Sequence, residues 1–244
     1  MELVKGKKTE QGLTGTLTRE EAARQLEQAT ELLAAAHARM EAGEYGLALQ
    51  SYLKAEQLAP RVLSDHDYFN IGSLCYMQGD MGPVKGFLEK SLTAENKTND
   101  WERWAAEYTL LEIYQHSNEK QKAYGLCREI EARADTGLVR MFLYGQVGSV
   151  YKCYREWERA ALAFDMAIAA YKCADLQAEK SPSLEDYEAA LAEILYRRSV
   201  VNRSLRHGVE ARRDLILSAQ SGSVAAREDC EREGIRWEST PVKL

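Results

Sequence analysis

The chain is 244 residues long and carries a formal net charge of −6, with 32 Ala and 28 Leu against 28 Val, Ile and Thr combined and only 4 Pro. This balance favours helices over strands and excludes a β-sandwich, a disulfide-stapled miniprotein and a collagen-like or low-complexity chain. Mild acidity gives no footprint for nucleic acid, and no apolar run reaches the ~18 residues of a membrane span. The first residues lack the apolar stretch of a secretory signal, and the five cysteines are scattered without a CxxC pair. Free thiols in a reducing compartment follow, so a cytoplasmic protein without membrane or nucleic-acid partners is expected.

In chain order, residues 1–17 have no periodicity and read as a flexible arm. Thr18-Arg19-Glu20-Glu21 has the pattern of a capping box and predicts a helix running to about Ala42. Leu32, Ala35, Ala36 and Arg39, then Ala48, Tyr52, Ala55 and Pro60, mark a first helix pair turning at Gly43–Tyr45. Tyr68, Ile71, Gly72 and Cys75, then Val84, Leu88, Ser91 and Asn96, mark a second, with Gly79-Asp80 turning and Pro83 at the first position of its second helix. A third contains Leu110, Leu111 and Tyr114, then Ala123, Cys127 and Ile130, turning at Ser117-Asn118. The fourth has Tyr144, Val147, Gly148 and Tyr151 at i, i+3, i+4 and i+7, one face of a helix, followed by Ala160, Phe164 and Ala167. Its second helix is expected to continue to about Ala178. A loop at Lys180–Ser183, containing Pro182 and a cap at Ser183, leads to a long helix over Leu184–Leu205. The fifth pair has Leu195, Arg198, Ser199 and Asn202, then Ala211, Leu215 and Ser218 around a turn near His207-Gly208. Ser223–Gly234 reads as a closing helix and 237–244 as a tail. The repeat starts fall near residues 29, 65, 104, 141 and 192.

The spacing Tyr144-x2-Val147-Gly148-x2-Tyr151, then Ala160, Phe164 and Ala167, resembles the tetratricopeptide repeat (TPR). The resemblance extends over residues 18–236 and implies an all-α fold: a right-handed α-α superhelix of about five TPR-like helix pairs plus a C-terminal capping helix. It also implies a concave groove lined by the first helix of each pair. Carried onto this sequence, the groove candidates are Phe69, Asn70, Tyr76, Tyr108, Phe142, Gln146, Tyr196, Arg197 and Arg203, flanked by Leu33, His37, Ser73, Met77, Thr109, Glu112, Ser149 and Val200. Aromatics mixed with amides and arginine have the composition of a binding surface. The alternative for Phe69, Phe142 and Tyr196 is packing between adjacent repeats.

The function so implied is a non-enzymatic scaffold holding a peptide or helix of another protein in the groove. A dedicated chaperone or signalling-peptide receptor of TPR type, or a subunit of an enzyme complex, are the alternatives. The positions that clamp acidic chaperone tails in some TPR proteins here hold Leu33, His37, Asn70, Ala105 and Thr109. Only Asn70 agrees and every cation is missing, which argues against that ligand. Arg197, Arg198, Arg203, Arg206, Arg212 and Arg213 crowd the last repeat, either as a docking end for an acidic or phosphorylated segment or paired with Glu185, Glu188, Glu193 and Glu210. No P-loop, GxGxxG, GxSxG or HExxH pattern occurs, so no catalytic residue, cofactor or metal is expected. Cys153, flanked by Lys152 and Arg155, is the one candidate reactive thiol. Self-association through the convex or end faces stays open.

Overall fold

The computed structural model describes residues 18–93, 100–133, 137–174 and 184–238. The expected N-terminal arm, Asn96, the loop with Pro182 and the Ser183 cap, and the tail from residue 239 lie outside these residues. The described residues form α1 (Arg19–Glu41), α2 (Tyr45–Leu58), a 3₁₀ turn (Pro60–Val62), α3 (Asp65–Met77), α4 (Met81–Thr93), α5 (Asp100–His116), α6 (Lys120–Ala132), α7 (Gly137–Cys153), α8 (Trp157–Cys173), α9 (Leu184–Ser204), α10 (Gly208–Gln220) and α11 (Val224–Arg232). They contain no strand. Helices pair as α1/α2, α3/α4, α5/α6, α7/α8 and α9/α10, each pair packs on the next, and α11 closes on α10. The architecture is an all-α helical-repeat superhelix.

Local chemistry sets the helix ends. Thr18 caps α1 reciprocally with Glu21, and Ser64 caps α3 in the same way with Asp67. The first helices of the five pairs all stop by one device. The residues after them, Gly43, Gly79, Asn118, Arg155 and Arg206, have φ of 74°, 76°, 55°, 62° and 64°. The next amide then bonds to the carbonyl five residues back: Glu44 to Arg39, Asp80 to Cys75, Glu119 to Tyr114, Glu156 to Tyr151 and His207 to Asn202, at 2.8–3.0 Å. This bond, the Schellman closure, turns the chain back so that the second helix starts within two residues. Arg155 and Arg206 adopt the left-handed conformation at a cost of about 1 kcal/mol each.

Two boundaries differ from expectation. Pro83 is the third residue of α4, not the first; its missing N–H still falls among the amides that lack an intrahelical acceptor. Helix α8 ends at Cys173, short of Ala178, because Ala174 is already extended (ψ 138°). Pro60 opens the 3₁₀ turn.

Small residues let the paired helices approach. Ala36, Ala48, Ala55, Ala123, Ala160 and Ala167 are wholly buried. A Cβ on Gly148 would lie 2.7–2.9 Å from the Phe164 ring, and one on Gly72 would lie 2.8 Å from Leu88 Cδ2. Phe164 is completely enclosed, a burial contributing roughly 2–3 kcal/mol. One continuous core runs from Ala29 to Leu217, and a smaller one joins Leu215, Ile216, Ala219, Ala226, Cys230 and Ile235 under Tyr196 and Trp237. Packing therefore reaches Trp237, one residue past the expected domain end.

Gly148→Ala is expected to destabilise the chain by about 1–3 kcal/mol in denaturant unfolding, since the Phe164 ring has no room to move. Gly125→Ala, in the middle of α6 where a Cβ meets nothing within 4 Å, is expected to stabilise it by about 0.5–1 kcal/mol. The same sign for both would contradict the packing described.

Candidate binding cleft

Helices α3 and α5 are the first helices of neighbouring pairs, with α4 lying between and beneath them. Phe69, Gly72, Ser73, Tyr76 and Met77 from α3, Ala105, Tyr108, Thr109 and Glu112 from α5, and Val84 and Leu88 from α4 line a cleft of about 290 Å³. Its residues recur at helical spacing on α3 and α5, so each helix contributes one stripe. Val84 and Leu88 form a buried apolar floor, whereas Tyr76 and Met77 are 54% and 65% exposed. The Thr109 hydroxyl donates to the Ala105 carbonyl at 2.9 Å, leaving its lone pairs outward. Partial burial pushes the Tyr108 hydroxyl above the ordinary phenol range, with Glu112 and Glu193 adding to the shift and Arg197 opposing it. Three of the nine groove candidates, Phe69, Tyr76 and Tyr108, thus meet in this cleft, together with Ser73, Met77, Thr109 and Glu112.

The other candidates are placed differently. The Asn70 amide donates to the Tyr52 hydroxyl (3.3 Å) and lies 2.9 Å from His66 Nε2. His66 Nδ1 is 2.7 Å from Glu102 Oε1, and His37 Nε2 is 2.6 Å from Asp67 Oδ1. The first three bonds form a polar relay across α2, α3 and α5, and the separate His37–Asp67 pair ties α1 to α3; neither was anticipated from the sequence. Phe142 stands between Trp104 and Tyr187, with centroid distances of 5.7 and 5.8 Å, in an aromatic series that begins at Phe69 and Trp101 and crosses α3, α5, α7 and α9. Gln146 is 5% exposed, inside a stretch of α7 that is buried on every side.

No family model matches the sequence, and no curated protein matches it. Solved structures do. YrrB, a TPR protein with an unusual peptide-binding site, superimposes with a TM-score of 0.61 at 14% identity over 87% of this chain and 96% of that one. BtubC from P. vanneervenii gives 0.58 at 16% identity over 92% and 94%, and MamA gives 0.55 at 14% identity over 93% and 100%. The fold is that of the tetratricopeptide-repeat proteins.

In this superhelix three of the six C-terminal arginines, Arg197, Arg198 and Arg203, are drawn into the framework. Arg197 donates to Glu193 (2.7 Å) and to the Ser149 hydroxyl (2.6 Å), tying α9 to α7. Lys152 lies beside it, with its ammonium pushed below the usual lysine range by burial and by the Arg197 charge. Tyr196 donates to Asp229 at 3.3 Å, and Arg203 pairs with Asp229 and with Glu233 at 2.8 Å, so both side chains engage the α11 region. Arg198 grips Asp214 with two bonds of 2.8 and 2.6 Å, and Asn202 adds a third. Asp214 is 1% exposed. Of the expected acidic partners Glu193 takes this role, while Asp165, Asp214, Asp229 and Glu233 supply the rest.

Cys153 and Cys173 are exposed, and Cys75, Cys127 and Cys230 are buried. Burial pushes the Cys127 thiol up to about 12. Among the described residues no three His, Cys, Asp or Glu side chains are grouped as a metal would require, and no helix is long and apolar enough to cross a membrane.

Arg198→Ala strands the buried Asp214 carboxylate and is expected to cost about 3 kcal/mol in unfolding free energy. Arg203→Ala, at a half-exposed pair, is expected to cost about 0–1 kcal/mol; similar losses for both would contradict this ranking. With a chromogenic disulfide reagent, the two exposed thiols should react fast and the three buried ones only on unfolding. A fast reaction of Cys127 would show that the α6 packing is open in solution.

Proposed function

We propose that this chain is a non-enzymatic interaction scaffold that holds an extended or helical segment of another protein along the concave face of its TPR superhelix, with the α3–α5 cleft as the principal anchor. The observation that carries the reading is the convergence in one cleft of seven residues, Phe69, Ser73, Tyr76, Met77, Tyr108, Thr109 and Glu112, that the TPR resemblance assigns to the groove. Large aromatic and methionine side chains left uncovered beside a buried apolar floor are the usual make-up of a binding hot spot. The peptide-binding site described for YrrB is in keeping with such a role.

Arg197, whose charge is felt at Tyr108, and Lys152 beside it lie close to the anchor without lining it. Phe142, Gln146, Asn70, Tyr196 and Arg203 act in this reading by fixing the shape of the groove rather than by touching the ligand.

Peptides selected from a random display library against the full chain are expected to lose about 10–100-fold in affinity on Tyr76→Ala or Tyr108→Ala, with circular dichroism unchanged for both and thermal melting unchanged for the exposed Tyr76→Ala. Ala at Leu162, exposed on α8, should leave binding intact. Selected peptides that bind both tyrosine variants as tightly as the parent would overturn the assignment of the cleft.

A further inference from the structure

We infer that the α3–α5 cleft receives a basic side chain of the partner segment, arginine in preference to lysine. The inference rests on the groove reading above and adds the chemistry of the anchor.

Charge is the first argument. Glu112 is the one charged side chain among the residues lining the cleft, and its carboxylate has no ion-pair partner among the described residues. Several carboxylates along these repeats do have cations, Glu56 with Lys90, Glu89 with Lys122, Glu119 with Lys85 and Glu193 with Arg197, at 2.6–2.9 Å; none of those cations reaches into the cleft lining. The nearest cation whose charge is felt at Tyr108, Arg197, is already committed to Glu193 and Ser149. An acidic side chain entering the cleft would meet Glu112 with nothing to offset the repulsion. A purely apolar one would leave that carboxylate without a partner.

The walls supply the second argument. Phe69, Tyr76 and Tyr108 present aromatic rings around one space, and the polar atoms beside them, the Thr109 lone pairs and the Tyr108 hydroxyl oxygen, can accept hydrogen bonds. A guanidinium is planar, carries five N–H donors and no acceptor, and stacks on aromatic faces more readily than an ammonium. The chain uses the same pairing in its own framework, with the Arg159 guanidinium 4.0 Å from the Tyr151 ring centroid and that of Arg140 5.2 Å from Tyr144. A volume of about 290 Å³ sits just below the range of pockets for drug-sized molecules. It suits one long side chain, its methylenes on Val84 and Leu88 and its head at Glu112.

Four small probes differing only in side chain distinguish the possibilities: the Nα-acetyl methylamides of arginine, citrulline, norleucine and glutamate. Each is titrated into the full chain labelled at the methionine methyls, with the Met77 resonance identified from Met77→Leu. The arginine compound is expected to move the Met77 signal saturably and to bind about tenfold more tightly than its neutral isostere citrulline. Glu112→Gln, on an exposed position that leaves the fold intact by circular dichroism, should shrink that difference to about twofold or less. Citrulline or norleucine binding as well as arginine would overturn the inference while leaving the cleft as the anchor, and so would tightest binding by glutamate. Failure of all four to move Met77 would overturn it too, whereas the groove reading would then stand or fall on the selected peptides.

Discussion

The distance between the two helices of a pair governs the rest of this molecule. Where Gly148 faces Phe164 and Gly72 faces Leu88, the backbone of the first helix lies directly against a large side chain of the second, and no larger residue fits between. Dispersion and apolar burial at these crossings hold each pair together. The repeated Schellman closure aims the second helix back at the same angle every time, because it is made by the backbone itself and tolerates Gly, Asn or Arg at the left-handed position. Helix pairs of unequal length joined by the same turn thus stack in one sense and build a superhelix.

The cleft is a by-product of that stacking. Two consecutive first helices, α3 and α5, are held apart by α4 beneath them, and the gap keeps its depth because Leu88 is pulled down onto Gly72. Gly72 lines the cleft and simultaneously sets its floor. The same substitution that would loosen the α3/α4 pair would therefore also fill the cleft, so the packing of the pair and the shape of the cleft share one residue.

Helices, turns and the closing segment were legible in the sequence because each depends on local spacing: Tyr144, Val147, Gly148 and Tyr151 on one face, a capping box at Thr18, and small residues at the crossings. The three cleft aromatics were legible for the same reason, since they lie one or two positions from the packing residues. The fates of Asn70, Gln146, Tyr196 and Arg203 were not, because they depend on neighbours contributed by other repeats. A signal for many of these partnerships nevertheless exists. Lys85 and Glu119 are 34 residues apart, as are Glu56 and Lys90; Glu89 and Lys122, Asp165 and Arg198, and Tyr196 and Asp229 are each 33 apart. Each separation is a little under the 36 or more residues between repeat starts and carries the chain from one unit to the next, so complementary polar groups spaced by about 33–36 residues mark bonds between adjacent units. His66 and Glu102, at 36, could have been found by the same rule.

The cleft straddles the boundary between the second and third pairs, and this location has a mechanical meaning. In a stack where each unit chiefly touches its neighbours, a joint works as a hinge whose angle is inherited by everything beyond it. A side chain wedged between α3 and α5 would bear on that angle directly. Were a ligand held there as proposed, the α7–α11 half would carry any change of that angle as a lever arm does, and the curvature of the superhelix would follow.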